Sequence, residues 1–289
     1  MPTKIEKDAV TGKETTGHEW DGIKELNTPL PKWWLYILYA TIAWSVVWAI
    51  LYPSFPGLSG HWRGTTGWTQ RTAIAEQMRA VDAERAPMLE RIRSAGLEEL
   101  RRDPDLLQYA MAGGRVAFAD NCAACHGAGG EGRPGGFPSL ADDSWIWGGT
   151  LEDIHTTILH GIRNTQDPDA RMSMMPAYGQ ILSRQEIDDV AEHVLSFTGR
   201  STNAESAARG ATIYADQCVA CHGEKGEGVR EQGGPALNDA IWLYGGSKRE
   251  ITAQIANPRM GVMPPWQGRL DEATIRMLTV YVHTLGGGE

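Results

Sequence analysis

Residues 122–126 read CAACH and residues 218–222 read CVACH, and these two stretches hold all four cysteines of the 289-residue chain. Three chemistries use two cysteines at this spacing: a redox-active disulfide, a zinc cage, and covalent attachment of haem. The histidine after each second cysteine discriminates. On a helical turn Cys122, Cys125 and His126 stand at i, i+3 and i+4 and share one face, as do Cys218, Cys221 and His222. Two thioether anchors and one axial ligand then address a single flat group, whereas a zinc site has no use for that histidine and rarely spans such a gap. The expected cofactors are therefore two covalently bound haem c groups.

The formal net charge of −9 excludes the basic footprint that a nucleic-acid partner requires. The charge is uneven, because residues 104–199 alone carry 5 basic and 13 acidic groups. An acidic face of this kind is a candidate docking surface for a basic partner, with Asp142, Asp143, Glu152 and Asp153 as the groups to neutralise.

Residues 33–52, WWLYILYATIAWSVVWAILY, contain no charge. Twenty residues rise about 30 Å as a helix, which matches the hydrocarbon core of a bilayer. Trp33, Trp34 and Tyr36 at one end and Tyr52 at the other are placed like an interfacial belt. The segment is too long, and is followed by the wrong residues, to be a cleaved signal. Lys4, Lys7, Lys13, Lys24 and Lys32 precede it, against Arg63 and Arg71 shortly after, so the expected orientation has the N-terminus in the cytoplasm and the rest outside. A helix-favouring segment from Trp68 to about Arg102, interrupted by Pro87 and Gly96, is read as a spacer.

The two cysteine motifs belong to an internal repeat. At an offset of 96, Phe118 matches Tyr214 and Glu131-Gly132 matches Glu227-Gly228; at 97, residues 138–149 match 235–246. Each copy runs from a helix into the motif, through a Gly-rich loop and a short helix, to a Met-Pro loop and an amphipathic closing helix. In the first copy that helix opens at the capping box Ser183–Glu186 and carries Ile187, Val190 and Val194; in the second, Ile275, Leu278 and Val282 repeat the spacing. The plan resembles class I cytochrome c. Aligning the Met-Pro pairs at an offset of 88 selects Met175 and Met263 as sixth ligands over Met174 and Met260, and leaves open which methionine serves which iron. His155, His160, His193 and His283 are not repeated and are read as surface or satisfied residues.

The whole chain, with DGIKELNTPLPKWW before the span and two C-x-x-C-H domains after it, resembles the di-haem subunit (subunit III, or subunit P) of cbb(3)-type cytochrome c oxidases. The resemblance implies a mainly α protein: a cytoplasmic tail (1–32), one transmembrane helix (33–52), a periplasmic linker (53–104) and two tandem class I cytochrome c domains (105–199 and 200–289). It also implies a bacterial inner-membrane location. Electrons would arrive from a soluble or membrane-bound cytochrome c and leave toward the mono-haem and catalytic haem-copper subunits, with no catalysis by this chain. A free-standing di-haem shuttle and a di-haem peroxidase are the alternatives, and two matched Met-Pro loops disfavour the peroxidase.

Overall fold

The computed structural model describes residues 4–289 and divides into two compact units, with the boundary after Glu84. The first unit opens with an antiparallel hairpin, β1 (Thr15–Trp20) and β2 (Ile23–Leu26), turned by Asp21-Gly22 with positive φ at both residues. An Asp-Gly pair is what such a two-residue turn demands. The signal stands in the sequence, within the segment read only as a tail.

Helix α1 (Lys32–Leu51) follows, one residue offset from the expected span, and none of its residues is buried. Its two aliphatic hydroxyls turn inward, Thr41 donating to the Leu38 carbonyl and Ser45 to that of Thr41, so neither needs a partner outside the helix. The turn-rich residues after it cap its end. Trp62 Nε1 donates to the Ile50 carbonyl, and the Thr66 hydroxyl to that of Leu51. The short pair β3 (Pro56–Gly57) and β4 (Gly60–His61) lies between.

The unit boundary falls inside α2 (Gln70–Ser94). The expected interruption at Pro87 does not occur; the proline sits exposed within the helix, and the chain breaks at Gly96, which caps α3 (Leu97–Arg102). Nor is the end of this segment a mere spacer. Ile92, Leu97 and Leu100 are buried in a core with Ala110, Leu151, Met277 and Val280, and Arg276 Nε donates to the Ile92 carbonyl at 2.8 Å.

Beyond it come the repeated helices. The first copy supplies α4 (Pro104–Asn121), α5 (Ala123–His126), α6 (Leu151–His160) and α7 (Arg184–Ser196); the second supplies α8 (Ala204–Gln217), α9 (Val219–His222), α10 (Lys248–Ala256) and α11 (Glu272–His283). The closing helices are exchanged between the copies. Helix α11 packs on α4 and α6 of the first copy, while α7 packs on α8 and α10 of the second. Each crossing is made at a glycine. A Cβ on Gly114 would lie 2.4 Å from the Met277 carbonyl oxygen, and one on Gly210 would lie 2.0 Å from that of Asp189. Only glycine lets the backbones approach so closely. Residues 285–289 continue the exchange: Trp145 Nε1 donates to the Gly287 carbonyl and Glu289 N–H to that of Gly149.

Candidate haem-binding sites

Both motifs fold as expected. Cys122 ends α4 and starts α5, the N–H groups of Cys125 and His126 donate back to its carbonyl, and Cys218 does the same for α9. The loop that follows each motif is fastened by the matched Glu-Gly pair. Glu131 accepts from Gly129 N–H and Gly132 N–H donates to the His126 carbonyl; Glu227 and Gly228 repeat this on Lys225 and His222.

The histidines are oriented alike. His126 Nδ1 donates to the Pro138 carbonyl at 3.0 Å and His222 Nδ1 to that of Pro235 at 2.9 Å, since a carbonyl can only accept. That bond fixes the tautomer and leaves Nε2 as a lone-pair donor for a metal. Burial pulls both imidazoles below their ordinary pKa, which keeps them neutral and able to ligate. Burial, more than the neighbouring Cys125 or Cys221, pushes the Cys122 and Cys218 thiols up to about 11.

The methionines separate by placement. Met175 packs against the core cluster of Tyr178 and Tyr214 that Cys218 of the second motif also borders, and Met263 against the cluster of Phe118 that Cys122 and Trp145 also border. Met174 is 75% exposed and Met260 is also exposed, so neither rival is similarly enclosed. The Met-Pro loops thus follow their closing helices across to the other copy. One cavity of about 770 Å³ is lined by both cysteine motifs, both histidines, Met175 and Met263.

The middle of this cavity has an approximate two-fold arrangement. A Cβ on Gly136 would strike Tyr244, and one on Gly233 would strike Trp147; both pairs are related by the offset of 97. Arg171 stacks over Trp147 and Arg259 over Tyr244. Trp242, which also lines the cavity, has a buried Nε1 without a hydrogen-bond partner, unlike its counterpart Trp145. An apolar slot with two thiols, a neutral imidazole, a thioether and a spare N–H donor fits a haem, whose flat ring carries carboxylate arms.

Among the remaining histidines, His160 Nδ1 pairs with Asp167 at 3.0 Å, His193 stacks against Phe197 and Tyr214, and His283 Nε2 meets the Glu289 carbonyl. His155 departs from the expectation, because its buried Nε2 has no partner among the described residues.

Three family models match in chain order: the N-terminal domain of cytochrome oxidase-cbb3, FixP, over residues 12–59; cytochrome c over 110–198; and cytochrome c oxidase, cbb3-type, subunit III, over 205–282. The chain is 50% identical to the cbb3-type cytochrome c oxidase subunit CcoP of Azospirillum brasilense, over 98% of this chain and 99% of that one. It is 50% identical to the subunit FixP of Azorhizobium caulinodans, over 98% and 96%. With the CcoP of Cereibacter sphaeroides the identity is 46% over the full length of both. The chain belongs to the CcoP/FixP family of cbb3-type oxidase subunits. Members of this family carry two cytochrome c domains, so the cofactors are two covalently bound haem c groups, and the chain is an electron-transfer subunit of the oxidase.

Proposed function

We propose that the chain accepts electrons from a donor cytochrome c and relays them through its two haems toward the mono-haem and catalytic haem-copper subunits. Cys122, Cys125, His126 and Met263 would hold one haem, and Cys218, Cys221, His222 and Met175 the other. Each haem domain then combines parts of both sequence repeats, 105–199 and 200–289. When bound, the haems supply one-electron chemistry, and thioether ligation favours the ferrous state and a high potential. What the protein contributes is enclosure: the His126 and His222 imidazoles are held by backbone carbonyls, and α4, α11, α7 and α8 exclude water around the rings. An imidazole and a thioether both committed to each iron would leave no position for peroxide or oxygen, which argues against a peroxidase.

The observation that carries this reading is that Met263 borders the same core cluster as Cys122, and Met175 the same cluster as Cys218. Two single-haem backgrounds test it, C122S/C125S and C218S/C221S. In the first, Met175→Leu is expected to abolish the ferric iron–thioether absorption band and Met263→Leu to spare it; the second background should show the reverse. Retention of the band in both crossed cases would restore ligation within each repeat.

The same reading places α1 across the bacterial inner membrane, with the lysine-bearing N-terminal segment in the cytoplasm and both haem domains in the periplasm. Lysines concentrated before α1, and its fully exposed apolar surface, support this. The donor docks on the acidic first copy through Asp143 and Glu152, which are exposed. Asp142 and Asp153 are weaker candidates, being occupied by Ser144 N–H and by Arg171 and Thr150. Neutralising Asp143 and Glu152 together should slow electron entry and flatten its salt dependence in stopped-flow reduction; unchanged kinetics would move the docking face elsewhere.

A further inference from the structure

The largest length difference between the two copies is one insertion. The offset is 97 at Ile158 and Ile255 but 88 at Met175 and Met263, so the first copy carries nine additional residues between its short helix and its Met-Pro loop. These residues reach the other copy's loop. Ile162 and Met263 exchange backbone hydrogen bonds in both directions, each 3.0 Å long, which pins the segment bearing the proposed sixth ligand of the first haem. Among the described residues no equivalent backbone pair holds Met175.

The next residue of the insertion is Arg163, with φ at +51° in the left-handed region, a conformation costly for a long side chain. Its guanidinium bridges the two Met-Pro loops: Nε donates to the Gly261 carbonyl at 2.7 Å and Nη1 to Ser173 Oγ at 2.9 Å. It is half-buried and lines the cavity, and burial pulls its pKa down. Among the described residues no carboxylate lies within ion-pair distance of it, and Nη2 has no hydrogen-bond partner. Arg171, by contrast, is paired with Asp153. A guanidinium withdrawn from water without a counter-ion is unfavourable, and one beside a cofactor with carboxylate arms has its anion supplied.

We infer that Arg163 is the counter-ion of a haem propionate, and that the propionate belongs to the haem held by Cys122, Cys125 and His126. Most of its surroundings belong to that site: Gly261 precedes Met263, Ile162 clamps Met263, and the nearby Tyr244 packs on Gly136, two residues before the carbonyl that holds His126. Arg163 is a positioning residue in this role. It also supplies a fixed positive charge that has no counterpart in the second copy's sequence. Such a charge disfavours the ferric state, so the insertion sets the two haem potentials apart in chains whose axial ligands are identical. The inference rests on the exchanged-ligand reading for its choice of haem, but not for the ion pair itself.

Spectroelectrochemical titration of the full di-haem chain tests it, with Arg163→Gln and Arg163→Lys compared. Both replacements meet the same left-handed backbone, so they differ mainly in charge. Arg163→Gln is expected to lower one midpoint potential by about 59 mV, a tenfold change for a one-electron couple, while Arg163→Lys recovers most of it. The iron–thioether band should persist in both variants. The C218S/C221S background, which retains only the first haem, should show the same shift. Unchanged potentials with Arg163→Gln, an equal shift with Arg163→Lys, or a shift confined to the haem of His222 would overturn the inference. Should the crossed-ligand test fail while the charge-dependent shift remains, the ion pair stands and only the exchange falls.

Discussion

At Gly114 the α4–α11 crossing is lined by Ala110, Ala273, Met277 and Val280, all buried and apolar, and the end of α2 together with α3 covers it with Ile92 and Leu100. At Gly210 the α7–α8 crossing carries charge instead. Asp189 accepts from Arg209, Ser206 and Gln185, and the fully buried Glu192 accepts from Ser201, Thr202 and Lys248. At the repeat offset of 88, Asp189 stands where the other helix has Met277, and Glu192 where it has Val280. What precedes each copy explains the difference. The first is preceded by helices that seal the crossing with hydrocarbon. The second is preceded only by residues 197–203, whose N–H and hydroxyl groups need an acceptor and find one in Glu192. One helix crossing thus has two workable closures, an apolar sheath and a saturated carboxylate, and the neighbouring chain decides between them.

The sharpest way to break this comparison is to transplant one closure into the other. Glu192→Val copies the first crossing but leaves the donors of residues 201–203 without their acceptor, although Lys248 keeps Asp188, so it should cost about 3–5 kcal/mol in denaturant unfolding of the haem-loaded chain. Val280→Ala on the apolar side should cost only about 1–2 kcal/mol, since it removes methyl groups and strands no polar atom. Equal losses would show that the two closures are energetically alike.

Glycine substitutions come next. Gly210→Ala and Gly114→Ala each drive a Cβ into a carbonyl oxygen of the partner helix and should each cost about 3 kcal/mol. Gly113→Ala meets only the flexible end of the Met277 side chain, its sulfur and methyl group, and should cost less than either in the same assay.

Acid separates the two halves more gently. Arg209 above all holds Asp189 down to about 2; for Glu192 burial opposes ionisation, yet hydrogen bonds from Ser201, Lys248 and Thr202 still bring it to about 2. Both values lie below the ordinary carboxylate value of about 4, so their stabilisation is complete above that pH and is lost as pH falls toward about 2. The α7–α8 half should therefore loosen first, visible as loss of the iron–thioether band of the His222 haem before that of the His126 haem. Simultaneous loss would mean that the carboxylates do not set acid stability.

The anchors of both sites were legible in the sequence because their chemistry needs adjacent residues: two cysteines, a histidine, and a Met-Pro pair in fixed order. Helix α1 was legible for a similar reason, since twenty residues without a charge stand out in any sequence. The exchange was not. Ile187, Val190 and Val194 make α7 amphipathic whichever copy it packs on, so periodicity identifies a buried face without naming its partner. Pro87 misled because an exposed proline removes one backbone hydrogen bond without ending the helix, whose following turn is held in the core by Met88, Leu89 and Ile92. The buried carboxylates were hidden by the apolar residues beside them in the same helix, and only the loop at 197–203 explains why they are there.

The exchange also orders events during synthesis. Cys122, Cys125 and His126 emerge well before the second motif, yet the walls of their pocket include Met263, Leu278 and Val282. The earliest attachment point on the nascent chain is thus among the last to be enclosed. The second pocket draws Met175 and α7 from chain already made, so it can shut as soon as α8 to α10 appear. On the proposed ligand set, a haem at the first motif would have only two thioethers and one imidazole to hold it through that interval. Covalent attachment would then be a tether that keeps a cofactor in place until its lid has been translated.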